Sequence, residues 1–231
     1  AAELVISSGV SDVAGPRMSL RPVEGLPLIH VEIASFTGRA YLAKHALDIA
    51  VASIALLFFA PIAAVIAIAI KLDSPGPLFF PQARVGRDGH EFRMIKFRSM
   101  AVDAEERRAA LLAANEGAGP LFKMHDDPRV TRVGRILRKY SLDEVPQFWN
   151  VLVGDMSVVG PRPPLPSEVA TYDDDVFRRL YIKPGITGPW QVGGRSDLSW
   201  EESVRLDLRY VENWTVMTDI VLMWRTVRVM L

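Results

Sequence analysis

The chain has no cysteine anywhere in its 231 residues. That excludes disulfides, thiolate catalysis and cysteine-based zinc sites together, and it suits a reducing compartment. An excess of one charge is also missing. The 27 basic and 27 acidic side chains leave a net charge of zero, so no global attraction to nucleic acid exists and no nucleic-acid partner is expected. The histidines, His30, His45, His90 and His125, are scattered without metal-ligand spacing. There is no His-Ser or Cys-His pair for acyl transfer, no Gly-Lys-Ser/Thr phosphate loop and no dinucleotide fingerprint. No internal repeat, low-complexity tract or secretory signal is visible. The chain opens Ala1-Ala2-Glu3 without methionine and reads as a fragment cut from a longer protein.

Charge is absent locally as well. From Ile49 to Ile70 no residue is charged and almost every position is Ala, Ile, Val, Leu or Phe. A bilayer needs about 20 apolar residues. Lys44 and His45 at one end and Lys71 at the other suit the headgroup level. Pro61 removes one backbone bond near the middle and predicts a kink or break. Asp48 at the entry is costly if carried deep. A membrane-crossing helix, a re-entrant helix that dips and returns, and a buried core helix all stay open at this point.

Residues 1–38 hold two strand-like runs, Leu4-Val5-Ile6 and Leu28 to Ile33, separated by Gly- and Pro-rich loop. Past the apolar segment, Asp73-Ser74-Pro75-Gly76-Pro77 stops the helix, and Leu78–Val85, an Asp88-Gly89 turn and Glu91–Phe97 read as a β-hairpin, with a bulge as an option. Lys96 and Arg98, two apart, share one strand face; a charged edge strand is the plain alternative. Residues 101–116 read as a surface helix. Asp127-Pro128 reads as the start of another, carrying a basic stripe of Arg132, Arg135 and Lys139. The stripe is either a solvated face or a binder of an anionic ligand or lipid heads.

That stripe leads into Ser141-Leu142-Asp143-Glu144-Val145-Pro146-Gln147. Ser141 and Glu144 have capping-box spacing, which puts Asp143 in the first turn of a helix. Simple capping explains both acids; paired carboxylates for phosphoryl transfer are the sharper explanation. Downstream, Gly160-Pro161-Arg162-Pro163-Pro164 presents a Pro-flanked arginine. Residues 165–182 read as a helix. Lys183 to Arg195 reads as a Gly-rich loop whose backbone could approach a phosphate. Two helices close the chain, Trp200–Val211 with Asp207 and Arg209 exposed, and Asn213–Leu231. The second, with Trp214, Met217, Val221 and Trp224 beside Arg225 and Arg228, fits either the membrane interface or the core.

The chain resembles the bacterial sugar transferases, the monotopic phosphoglycosyl transferases, over roughly residues 39–231. The residues that carry the resemblance are Lys44 to Ile49, Lys71 to Pro77, Lys96 to Met100, Ser141 to Gln147, Gly154 to Ser157, Gly160 to Pro163 and Lys183 to Gly188. The resemblance implies an α+β protein: a mostly helical cytosolic catalytic domain (74–231) with a small β-hairpin and a C-terminal interfacial helix. A re-entrant membrane helix (39–73), broken at Pro61, anchors it, behind a tail (1–38) left from a preceding nucleotide-binding-like domain. It implies transfer of a sugar 1-phosphate from a UDP-sugar, with galactose or glucose favoured, to undecaprenyl phosphate. UMP leaves, and a covalent Asp143 phosphosugar is the intermediate.

On the same resemblance Asp143 and Glu144 are catalytic and hold Mg²⁺, and Lys96, Arg98, Arg138, Arg162 and Arg195 contact phosphate or nucleotide. The setting is the cytoplasmic face of the bacterial inner membrane, against membrane lipid, as the first membrane step of exopolysaccharide or capsule synthesis, with a homodimer as an option. Three positions depart from the family pattern: Gly193 stands for Asn, Pro189 for an apolar residue, and Ala60 for Ser before Pro61. The competing functions are another membrane phosphotransferase using the acids only as Mg²⁺ ligands, and a non-enzymatic membrane scaffold.

Overall fold

A computed structural model describes residues 18–23, 26–31, 38–104, 106–107, 127–194 and 198–230. The strand expected at Leu4–Ile6 and most of the helix expected at 101–116 lie outside those residues. Strand β1 (Met18–Val23) pairs antiparallel with β2 (Leu26–Val31), so a segment that its prolines marked as loop is extended. Helix α1 (Gly38–Asp73) follows. Strands β3 (Phe79–Val85) and β4 (Glu91–Phe97) form the expected hairpin, in unbroken register from Phe79 opposite Phe97 to Val85 opposite Glu91, without the bulge. Asp88, in the left-handed region at φ 55°, turns the chain between them.

Helix α2 (Arg132–Lys139) starts four residues later than the Asp127-Pro128 signal suggests. Thr131 caps it by accepting from the Gly134 N–H at 2.9 Å, because the Asp127 carboxylate is already engaged by the Arg129 guanidinium at 2.6 Å. Helix α3 (Gln147–Val153) ends on Gly154 at φ 94°. Strand β5 (Ser157–Val159) pairs parallel with β6 (Gly185–Thr187). The single helix expected over 165–182 is instead α4 (Pro166–Val169), α5 (Asp174–Phe177) and a 3₁₀ turn at Arg178–Tyr181. Asp173 restarts the chain by capping Val176. Helices α6 (Pro189–Gly193), α7 (Trp200–Glu212) and α8 (Val216–Met230) complete the chain.

Asp207 on α7 is wholly buried, not exposed: the Arg179 guanidinium meets its carboxylate at 2.6 Å. One glycine of the Gly-rich stretch serves packing: a Cβ on Gly185 would overlap the backbone of Gly160 on the neighbouring segment, so that glycine lets two segments approach closely.

Two apolar clusters form the core, and α1 contributes to both. Ala52 packs with Val151, Met156, Val158, Tyr210 and Leu222. Ile66 and Ile70 pack with Phe97, Leu137 and Val145. Between them Ile54, Leu57 and Phe58 are exposed, Leu57 at 80%. Lys44 does not present its charge at the surface, and Asp48 is not left unpaired. Both are buried. Lys44 Nζ donates to Asp219 at 2.7 Å and to the Val159 carbonyl at 3.1 Å. Asp48 accepts from the Ser157 hydroxyl and the Val158 N–H, each at 3.0 Å. Burying either charge alone is prohibitive, so the pair stays dry only because every partner is present. Of the kink or break expected at Pro61, the break does not occur: α1 runs through it as one continuous helix.

Candidate active site

The hairpin presents one face to the site. Antiparallel partners project to the same side, so Lys96 opposite Phe80, Met94 opposite Gln82 and Phe92 opposite Arg84 place Lys96, Gln82 and Arg84 in a row. Lys96 Nζ bonds Glu144 Oε1 at 2.7 Å. Glu144 closes a 3₁₀ turn, Leu142–Glu144, between α2 and α3. The capping box is not formed. Ser141 takes a left-handed backbone at φ 53° and its hydroxyl caps nothing, while Glu144 is turned toward Lys96. A left-handed serine costs on the order of 1–3 kcal/mol; here it makes the sharp corner that points the acids at the hairpin.

Asp143 is 8% exposed. Burial holds its pKa above the ordinary carboxylate value; Lys96 pulls it down, Glu144 pushes it up and Arg138 pulls it down. Arg138, in the last turn of α2, is exposed. The site therefore joins Asp143, Glu144 and Lys96, with Arg138 within electrostatic reach.

Arg162 is linked to the site through Arg84, on which both it and Glu144 act electrostatically. Its Nη1 donates to Glu168 Oε2 at 3.0 Å, and Glu168 is 1% exposed. Arg84, which sequence reasoning missed, donates to the Pro163 carbonyl at 2.9 Å and to Gln82 Oε1 at 2.7 Å. It ties the Arg162 loop to the hairpin. Its pKa falls to about 10, first through burial and then through Arg162, with Glu168 and Glu144 opposing. Pairing outward from the Asp88-Gly89 turn puts Arg84 on the Lys96 face, which is the signal that could have found it. Glu168 has no such signal, since its burial depends on tertiary packing.

Arg98 is not brought to the site. Its guanidinium donates to the Pro75 carbonyl at 2.5 Å and to the Ser74 carbonyl at 2.7 Å, latching the turn that leaves α1. Arg195 lies outside the described residues. Among the described residues no cluster of three or more His, Asp or Glu is placed to hold a metal unaided. Asp143 and Glu144 still fit Mg²⁺, which binds through one or two carboxylates plus substrate phosphate oxygens and keeps several waters.

A long apolar helix, bare in its middle and fixed to an α+β body whose buried carboxylate faces several cations, defines a protein fitted for membrane anchoring and anion chemistry. The family model described as Bacterial sugar transferase matches residues 39–231, and the chain belongs to that family. It is 44% identical over 213 residues to the galactosyl transferase CpsE of Streptococcus agalactiae, covering 92% of this chain and 47% of that protein. It is 40% identical over 190 residues to the exopolysaccharide production protein ExoY of Rhizobium meliloti, covering 80% of this chain and 84% of that protein. It is 43% identical over 192 residues to the undecaprenyl-phosphate galactose phosphotransferase of Salmonella typhimurium, covering 81% and 40%. The chain thus spans about half or less of the larger relatives and most of ExoY.

Proposed function

We propose that this chain transfers a sugar 1-phosphate from a UDP-sugar to undecaprenyl phosphate at the cytoplasmic face of a bacterial inner membrane, in exopolysaccharide synthesis. The relatives' names supply the substrate classes. One observation carries the chemistry: a nine-tenths buried carboxylate, Asp143, beside the Glu144–Lys96 pair and Arg138. A carboxylate can act as a nucleophile in group transfer. An Asp143 oxygen attacks the β-phosphorus of the donor. The bond from that phosphorus to the bridging oxygen breaks, and UMP leaves with the electron pair. An oxygen of the polyprenyl phosphate then attacks the same phosphorus and displaces Asp143. The product is polyprenyl diphosphate-sugar, and the carboxylate is restored. Galactose or glucose is the favoured sugar.

Lys96 and Arg138 favour the charged form of Asp143 and face the incoming phosphates. Arg162, fixed by Glu168 and by the Arg84 clamp, offers a preset guanidinium to a phosphate oxygen. Glu144, with Asp143, would hold Mg²⁺, which supplies neutralisation of diphosphate charge when bound.

One substrate is water-soluble and the other lipid-embedded, so the site has to sit at the headgroup plane. A 36-residue helix is roughly 54 Å long if straight, yet both halves of α1 pack on one body while its middle is bare. That pattern supports a helix that dips and returns by bending at Pro61, where the proline removes one backbone hydrogen bond, over one that crosses.

The test is UMP release from a panel of UDP-sugars with Mg²⁺, with membranes carrying the lipid carrier. Release with at least one hexose donor is expected, together with a sugar-phosphorylated Asp143 trapped when the acceptor is left out. Asp143→Asn should lower release by on the order of a thousandfold or more. Substantial turnover by that variant would remove the covalent step.

A further inference from the structure

Helix α2 carries more charge than the site uses. Arg132, Arg135 and Lys139 are exposed, and none has a carboxylate within ion-pair distance among the described residues, unlike Arg129, Arg162 and Arg179. Ile136 and Tyr140, 57% and 53% exposed, lie on the same side of the helix. Lys139 Nζ lies 5.3 Å from the Tyr140 ring centre. The opposite side is apolar and seated: Leu137 and Val133 pack against Ile66 and Ile70 of α1. So α2 lies flush against the half of α1 whose outer residues, Val65, Ile68 and Leu72, are bare. A helix face that mixes cations with an aliphatic and an aromatic side chain, continuous with a lipid-exposed apolar surface, has the composition of an element at the bilayer interface.

We propose that this face of α2 docks on anionic phospholipid headgroups of the membrane that holds α1. The inference rests on the membrane reading of α1 but not on the reaction assigned to Asp143. Charge complementarity and continuity with the α1 surface select the occupant. Three unpaired cations meet a negative leaflet, and Ile136 and Tyr140 enter the headgroup boundary between them. Each cation near such a surface contributes a factor of about five, so three supply up to on the order of a hundredfold in local preference for anionic over neutral lipid.

The full chain, reconstituted in bilayers, is examined with spin-labelled phosphatidylglycerol and phosphatidylcholine, and their relative association with the protein is read by electron paramagnetic resonance. Phosphatidylglycerol is expected to be preferred several-fold, and the preference to fall toward unity at about 1 M salt, where the screening length is about 3 Å. The triple variant R132Q/R135Q/K139Q should lose most of the preference while keeping its melting temperature. A second variant, R225Q/R228Q, removes the exposed cations of α8 and should leave most of it intact. The proposal is overturned if wild type shows no preference or the triple variant keeps it. It is equally overturned if the α8 variant alone abolishes the preference, or if a soluble short-chain polyprenyl phosphate displaces the label from wild type at stoichiometric amounts, which would make the stripe an acceptor site. Loss of UMP release from wild type, with lipid preference intact, would strike the proposed reaction and leave this inference standing.

Discussion

Asp143 is held in a state that the fold disfavours and the proposed chemistry needs. Burial raises its folded pKa above the ordinary value of 3.8, so the folded chain binds that proton more tightly than the unfolded one. The contribution to stability is greatest below the unfolded pKa and is lost as pH rises through the raised one. At neutral pH the ionised group is therefore a net cost. Asp143→Asn should raise the melting temperature, by a few degrees in a thermal scan at pH 7, while abolishing turnover; a lowered melting temperature would contradict the assignment of the shift to burial. Lys96 acts in the opposite sense. Removing it as Lys96→Gln withdraws the largest influence lowering the Asp143 pKa. The acid limb of the pH–rate profile should then move to higher pH, and Glu144 loses its 2.7 Å partner. An unmoved acid limb would show that a different group titrates. The ion pair itself is partly exposed, at 24% and 36% for the two side chains, so its direct stability contribution is small.

At the scale of elements, α1 is locked to the body by a buried polar cluster. Lys44 bonds Asp219 of α8, which also accepts from the Tyr210 hydroxyl at 2.6 Å and the Trp214 indole at 3.1 Å. Asp48 bonds β5. Removing one member strands the others in a dry setting. Lys44→Met should cost about 3–5 kcal/mol, measured as a lowered chemical or thermal midpoint in detergent, whereas a surface substitution such as Glu201→Gln should change it by about 0.5 kcal/mol or less. The hairpin was legible in sequence because its signal is local, an Asp-Gly turn between partly alternating strands; the structure adds a capping box at Ser199–Glu202 that starts α7. The Ser141–Glu144 spacing looked the same and did not cap, because Lys96, 48 residues away in sequence, competes for the Glu144 carboxylate.

For the whole molecule, the bare surface is continuous in character. Leu57 and Leu72 of α1 and Trp224 of α8 are exposed at 80%, 84% and 70%, an apolar display that water does not favour. If α1 dips and returns, Arg39 before its apolar stretch and Glu201 on the catalytic body face the same compartment. These 231 residues hold no cysteine, so single substitutions Arg39→Cys and Glu201→Cys give clean probes. Both should react with a membrane-impermeant maleimide from the same side of sealed inverted vesicles. Labelling from opposite sides would establish a crossing helix. Adding Pro61→Leu to the Arg39→Cys chain should move part of that label to the other side, because an uninterrupted backbone ladder favours a straight span.

The sequence by itself determined the order of elements around the hairpin, the long apolar helix and the presence of an Asp143-Glu144 pair near basic residues. These depend on neighbours within a few positions, where periodicity and turn chemistry act. Only the tertiary structure decided which cations serve the pair. It drew Lys96 to Glu144, sent Arg98 to the Ser74-Pro75 turn, brought Arg84 and Glu168 around Arg162, and buried Lys44, Asp48 and Asp207 in ion pairs. A long side chain spends its charge on whatever counter-charge folding brings within about 4 Å in a drying interior, and that partner is set by packing, not by position along the chain.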